Sequence, residues 1–216
     1  MVSNSYNRGM AKASSKISKC MYIDMSNIYG GIAEIFEAGV YIDFATLMPF
    51  LDEKFEGIDQ FKVYGSYRGY AENDPVGKKQ MIRGSNEFLN TAKLSGVHFG
   101  RGKISKYGQE KGVDMQLGVD MVNDAHNGTY TDFILFSGDA DFQYPISIVK
   151  GLKKDFHYCG FANRFAINFA FEAWRKIVVD YNGLFKQNYS EARLPDKLEV
   201  HDIYKDSSVK MKSIKT

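Results

Sequence analysis

The chain has 216 residues, of which 44% are hydrophobic and 25% charged, and its formal net charge is +2. This length suits one α/β domain or two small ones, and the composition excludes wholesale disorder. No apolar run approaches the roughly 18 residues of a membrane span, and the polar first 19 residues lack the apolar stretch of a secretory signal. Cys20 and Cys159 lie in apolar segments, which favours free thiols in a reducing compartment. We therefore expect a cytoplasmic protein with no membrane partner.

Hydrophobic periodicity predicts strands and helices that alternate from residue 20 onward. In chain order, the first half is predicted to contain a strand at 20–24, a helix that follows an N-cap at Ser26-Asn27, a short helix at 46–55, a strand at 61–67, a loop at 69–77, a helix at 76–94 and a strand at 97–99. A basic glycine-rich hairpin or mobile loop is predicted at 100–112, and it is followed by a helix at 113–125 with Met115, Val119 and Val122 on one stripe. The remaining predicted elements are a strand at 133–136, a helix at 142–152, a strand at 156–159 and a helix near 165–179. The strand at 133–136 is apolar on both faces, which is typical of a central parallel strand. This order predicts a three-layer αβα sandwich with a mostly parallel sheet.

Charge is distributed unevenly along the chain. Residues 1–19 carry four basic groups and no acidic one, and residues 61–111 carry ten basic and four acidic groups. A basic region beside an acidic one is typical of a protein that holds a polyanion at one and processes it at the other. A solvated lysine-rich face is the other explanation, and charge alone leaves both open.

Four carboxylates fall where predicted strands end or helices begin. Asp24 ends the first strand, Asp139 and Asp141 follow the central strand, and Asp114 opens a helix; we call these four residues the acidic cluster. Ligands of open parallel sheets bind at this edge. Grouped carboxylates favour a hard divalent cation, which can activate water at a phosphodiester. Helix capping is an alternative role for Asp24, Asp114 and Asp141, although it does not exclude metal binding.

Three blocks in this order resemble the NYN domain family, LabA-like proteins with a PIN-like nuclease fold. The blocks are Tyr22-Ile-Asp24-Met-Ser-Asn27-Ile-Tyr29, Lys111-Gly-Val-Asp114-Met-Gln-Leu-Gly-Val-Asp120 and Ile134-Leu-Phe-Ser137-Gly-Asp139-Ala-Asp141-Phe142. The resemblance covers about residues 20–180. We therefore divide the chain into a basic N-terminal arm (1–19), a NYN/PIN-like domain (20–185) and a polar C-terminal tail (186–216).

The resemblance also implies a chemistry. It implies metal-dependent ribonuclease activity, with RNA as the partner, Mg²⁺ or Mn²⁺ as the cofactor and the acidic cluster as both catalytic and metal-binding site. Asn27 would orient a ligand or cap its helix, Ser137 would support the turn, and Lys111 would face phosphate.

Further residues are assigned from their positions. Asp120 lies about 120° round the helix from Asp114, so an outer or surface role is expected for it. The expected contacts to the RNA backbone, besides Lys111, are Arg101, Lys103, Lys106 and Arg68. Arg68 lies among Tyr64, Tyr67 and Tyr70, a mixture that stacks bases or packs in the core.

The sequence therefore predicts a Mg²⁺- or Mn²⁺-dependent endoribonuclease that leaves a 3′-hydroxyl and a 5′-phosphate. A non-catalytic RNA- or protein-binding regulatory module of the same fold is the alternative, and a DNA nuclease is a third hypothesis. An aspartyl-phosphate phosphatase is rejected because Ser26 stands where a second Asp is needed, and an adhesion-type metal site because Ile28 breaks Asp-x-Ser-x-Ser. A homodimer is left open.

Overall fold

The computed structural model describes residues 18–35, 44–106, 108–161, 175–181 and 198–204. Within these ranges the elements are β1 (Lys19–Asp24), α1 (Met25–Ile35), α2 (Phe44–Lys54), β2 (Gln60–Gly65), α3 (Val76–Leu94), β3 (His98–Arg101), β4 (Lys103–Ile104), β5 (Glu110–Lys111), α4 (Val113–Asn127), β6 (Asp132–Phe136), a 3-10 turn (Ala140–Phe142), α5 (Gln143–Gly151), β7 (Asp155–Phe161), β8 (Arg175–Tyr181) and β9 (Leu198–Tyr204). The predicted basic arm up to residue 17 and most of the predicted tail lie outside the described residues.

The main sheet has the strand order β3-β2-β1-β6-β7-β8-β9. Neighbouring strands are parallel from β3 to β8, and β9 is antiparallel to β8. The order reverses between β1 and β6, where Ile23 pairs with Phe136. The residues that follow, Asp24 and Ser137, therefore lie side by side at the switch in strand order, where ligands of such sheets bind.

Helices cover both faces of the sheet, because alternate strand residues point to opposite sides. Met21 and Ile23 belong to the core under α1, α2 and α3, whereas Cys20 and Tyr22 belong to the core under α4 and α5. This arrangement confirms the predicted three-layer αβα sandwich. Cys20 and Cys159 are buried free thiols, as expected. In the part of the chain that the structure describes, no helix is both long and apolar enough to cross a membrane.

Some predicted elements are wrong. Residues 175–181 form strand β8 instead of the end of a helix, since the β-branched run 177–179 favours a strand; residues 165–174 lie outside the described residues. Strand β9 falls within the segment assigned to the tail. Helix α1 begins at Met25, so Ser26-Asn27 is not its N-cap. On α4 the predicted stripe is not the buried one: Met115 and Val119 are exposed.

The basic segment at 100–112 forms the predicted hairpin. Strands β4 and β5 pair antiparallel, with Lys103 opposite Lys111, and we call these two residues the paired hairpin lysines. Gly112 joins the hairpin to α4 with φ = 80°, a left-handed conformation that glycine adopts without strain. The hairpin therefore leads directly into the helix that carries Asp114.

Candidate acidic site at the sheet edge

Asp24 is a buried carboxylate held by three hydrogen bonds. It is 1% exposed at the end of β1. Its Oδ1 accepts hydrogen bonds from the Ser26 hydroxyl (2.9 Å) and the Asn27 backbone N–H (3.2 Å). Its Oδ2 accepts one from the Ser137 hydroxyl (2.7 Å). Burial raises the pKa of Asp24, while these three hydrogen bonds lower it and the Asp139 charge raises it further. Asp24 thus caps α1 through Asn27 and is fixed in place.

The turn after β6 is linked to Asp24 through Ser137. The backbone N–H of Asp139 donates to Ser137 Oγ (3.1 Å), and that of Asp141 donates to Asp139 Oδ1 (3.0 Å). Ser137 therefore joins this turn to Asp24. Asp139, not Asp141, caps the 3-10 turn.

Asp114 lies in the first turn of α4, whose N-cap is Gly112, with no side-chain capping bond. The pKa of Asp114 is raised to about 6. The largest cause is the partial burial of its carboxyl group, and the negative charges of Asp24, Asp139, Glu110 and Asp141 raise the pKa further. The other three residues of the acidic cluster are therefore close enough to act on Asp114, although Asp114 and Asp141 are exposed at the surface. Capping does not explain Asp114.

Glu110 is a fifth carboxylate at this site that sequence reasoning missed. Its Oε2 lies 3.5 Å from Arg68 Nη2. Glu110 Oε1 and Arg68 Nε are buried without a hydrogen-bond partner in the described segments. Together with Ser26 and Asp114 they line a polar cleft of about 420 Å³. The available signal was the position of Glu110, four residues before Asp114 and across the glycine turn.

The predicted basic residues surround the hairpin. Lys103, Lys106 and Lys111 are exposed on it. The Arg101 guanidinium lies over the Tyr67 ring, 5.8 Å from its centroid. Arg68 is anchored by its backbone, which exchanges two hydrogen bonds with the Asn86 side chain (3.0 and 2.8 Å). All of these cations except Arg68 lie within 13 positions before Asp114 along the chain.

Asp120 lies on a different part of α4. Its Oδ2 accepts a hydrogen bond from the Tyr64 hydroxyl (2.9 Å) and lies 3.9 Å from His98 Nε2. Asp120 therefore ties α4 to β2 and β3, a role outside the acidic cluster. Asp124, further along α4, pairs with Lys62 and accepts a hydrogen bond from Tyr22.

The acidic cluster suits a divalent cation by its chemistry more than by its present geometry. Among the described residues, no group of three or more histidine, cysteine, aspartate or glutamate side chains is arranged to hold a metal ion. Carboxylate oxygens are nevertheless the ligands that Mg²⁺ and Mn²⁺ prefer. The pKa of Asp114 is raised first by burial and then by the neighbouring carboxylates, and a bound cation would relieve the repulsion among them. Asp24 is held by its hydrogen bonds, whereas Asp114 and Asp141 are exposed.

Comparison with known proteins gives a family and a fold. The family model described as the NYN domain matches residues 20–175. No curated protein matches the chain. A crystal structure of a protein of unknown function from Vibrio parahaemolyticus RIMD 2210633 is similar, with a TM-score of 0.51 and 17% identity, over 79% of this chain and 96% of that one. At this identity the likeness shows the fold alone, and it agrees with the α/β architecture.

Proposed function

The chain belongs to the NYN domain family, and from this premise we propose that it is a metal-dependent endoribonuclease. The family match confirms the resemblance in the three motif blocks, and the family is nuclease-like and RNA-associated. Hydrolysis of RNA by this chain, and its dependence on Mg²⁺ or Mn²⁺, are our proposals. The observation that carries them is the acidic cluster at the switch in strand order, where burial and then the neighbouring negative charges raise the pKa of Asp114.

In this proposal each carboxylate has a distinct part. Asp24, which accepts hydrogen bonds from Ser26 and Ser137, would be the rigid ligand. Asp139 would be positioned by Ser137, whose Oγ accepts a hydrogen bond from the Asp139 backbone N–H. Asp114 and Asp141 complete the ligand set from the surface. A bound Mg²⁺ or Mn²⁺ supplies charge neutralisation and an activated water for phosphodiester hydrolysis.

The cations serve the substrate. The paired hairpin lysines, with Arg101 and Lys106, hold RNA phosphates as the strand approaches Asp114. Such contacts are not base-specific and weaken with salt. Arg68 faces the polar cleft, where it is held by Glu110 until a phosphate competes for its guanidinium.

The proposal is tested with purified protein and a labelled single-stranded RNA in Mn²⁺ or Mg²⁺. We expect cleavage that leaves a 3′-hydroxyl and a 5′-phosphate, and a loss of at least about 100-fold in Asp139→Asn. Asp155→Asn is the matched control, because Asp155 is the first residue of β7 and lies at the amino-terminal ends of the strands, away from the acidic cluster. Equal cleavage by wild type and Asp139→Asn would overturn the assignment. A single-stranded DNA of the same sequence tests the third hypothesis.

The second candidate function is a non-catalytic RNA- or protein-binding regulatory module of the same fold. The observation that favours it is the lack of a converged ligand set among the described carboxylates. This alternative predicts that the protein retains RNA without cleaving it in either metal. Thermal melts separate the two: a bound cation at ten times its Kd stabilises the fold by about 1.4 kcal/mol, whereas a module without an ion site gains nothing.

A further inference from the structure

A groove between α4 and α5 runs from the acidic cluster along the outside of the molecule. Seven apolar residues with side chains line it: Met115, Val119, Val122, Phe142, Tyr144, Pro145 and Ile148. Asp114 and Asp141 also line it, and its volume is about 550 Å³. The side chains of Met115, Val119 and Tyr144 are 72%, 47% and 74% exposed, which is unusual for apolar groups grouped in one place.

The groove exists because α4 carries two apolar stripes. Leu117 and Met121 are buried against the sheet, so Met115 and Val119 are left facing outward beside α5. The two helices approach closely at Gly118, where an added Cβ would lie 3.0 Å from Pro145 Cγ. A side chain at position 118 would crowd the Pro145 ring. The groove is therefore built into the packing of α4 on α5.

We infer that this α4–α5 groove binds a nucleobase of the RNA strand beside the phosphate held at the acidic cluster. The inference rests on the proposed function for the position of that phosphate. Since one sugar joins a phosphate to a base, a phosphate at Asp114 and Asp141 brings a base to the mouth of the groove. The groove thereby positions one nucleotide of the strand for cleavage.

The lining has the chemistry of a base-binding site. Its volume lies within the roughly 300–1,000 Å³ of small-molecule pockets, which are mostly apolar with a few polar groups. The exposed ring of Tyr144 offers a stacking platform, which accepts any base because every base has a π-face. Asn123, about 13 Å along α4 from Asp114 at 1.5 Å per residue, places an amide that donates and accepts hydrogen bonds at a base edge.

A second copy of the chain is the competing occupant, and the charges disfavour it. A stable interface buries about 800 Å² on each partner, and one centred on this groove would cover Asp114 and Asp141. Covering carboxylates without a counter-charge is costly. A nucleotide that arrives with its cation neutralises them instead.

The test measures the binding of two labelled RNAs in the presence of Ca²⁺. One is a single-stranded RNA and the other is an abasic RNA of the same length. A gel checks that both RNAs stay intact during the measurement. Tyr144→Ala removes the ring, and Tyr144→Phe keeps it. Leu94→Ala is the matched control, because Leu94 is 87% exposed at the end of α3, away from the groove. We expect Tyr144→Ala to raise the Kd for the base-carrying RNA about tenfold, or about 1.4 kcal/mol. The other two variants should bind as wild type does, and all should bind abasic RNA alike.

The outcomes separate this inference from the proposed function. If Tyr144→Ala binds the base-carrying RNA as tightly as wild type, the groove is not a base site, whether or not the protein cleaves RNA. If binding depends on Tyr144 but neither Mg²⁺ nor Mn²⁺ gives cleavage, the groove stands and hydrolysis fails. A wild-type dimer that dissociates in Tyr144→Ala with unchanged RNA affinity would make the groove an interface between copies and overturn the inference.

Discussion

Replacing Asp114 with asparagine should stabilise the folded chain at neutral pH but not in acid. The folded-state pKa of Asp114 is raised from 3.8 to about 6. Between these values the folded state holds a proton that the unfolded chain has released, so stability is lost as pH rises through this window. A shift of about two units at about 1.4 kcal/mol each sets an upper limit of roughly 3 kcal/mol. Because Asp114 is exposed, solvent screens most of this, and we expect about 1 kcal/mol.

The assay is urea unfolding of wild type and Asp114→Asn, without divalent cations, at about pH 4 and about pH 7.5. The variant should be the more stable at the higher pH, and the two should converge in acid. Glu87→Gln is the control, because Glu87 on α3 is an exposed carboxylate outside the acidic cluster. Added Mg²⁺ should stabilise wild type more than the variant. Unfolding curves for Asp114→Asn that keep the same offset from wild type at both pH values would refute the reasoning.

Three further changes test the supports of the site. Ser137→Ala removes the hydroxyl that donates to buried Asp24 at 2.7 Å, and urea titration should show a loss of about 1–3 kcal/mol in the free energy of unfolding. Gly112→Ala should lower the free energy of unfolding by about 1–2 kcal/mol, because Gly112 has a φ of 80°. Gly77→Ala in α3 should be neutral or slightly stabilising, because Gly77 has neither a positive φ nor an atom near its added Cβ. Thermal melts in which both variants behave alike would contradict this. Changing both paired hairpin lysines to alanine should weaken single-stranded RNA binding and reduce the slope of log K against log salt by about 1.4, and an unchanged slope would remove the hairpin from the interface.

The central part of the fold follows from local sequence. The run at 133–136 is apolar on both faces and becomes β6, the strand at the middle of the sheet. The predicted helix at 76–94 has the bounds of α3. In each case the residues of the element itself carry the whole pattern that predicts it. Strand β8 is not predictable in this way, because part of what favours it is pairing with β9, which lies far along the chain.

The acidic cluster was predictable because parallel strands bring their ends to one edge. Asp24 and Ser137 are neighbours by register alone, whatever their side chains do. Glu110 was not predictable as a site residue, because its place depends on how the hairpin folds back before Gly112. The orientation of α4 was not predictable either, since two apolar stripes follow its helical period and only packing against the sheet selects one.

Capping accounts for only some of these carboxylates. Asp24 and Asp139 accept hydrogen bonds from the backbone of the helical turns they precede, so capping accounts for part of their role. Asp114 follows a glycine N-cap, and Asp141 lies within its turn, so neither serves as an N-cap residue. A carboxylate with a raised pKa lowers stability at neutral pH, and the cation that we propose would offset this cost. We therefore expect Asp114→Asn to gain stability and lose cleavage together, a pairing that a purely structural role would not produce.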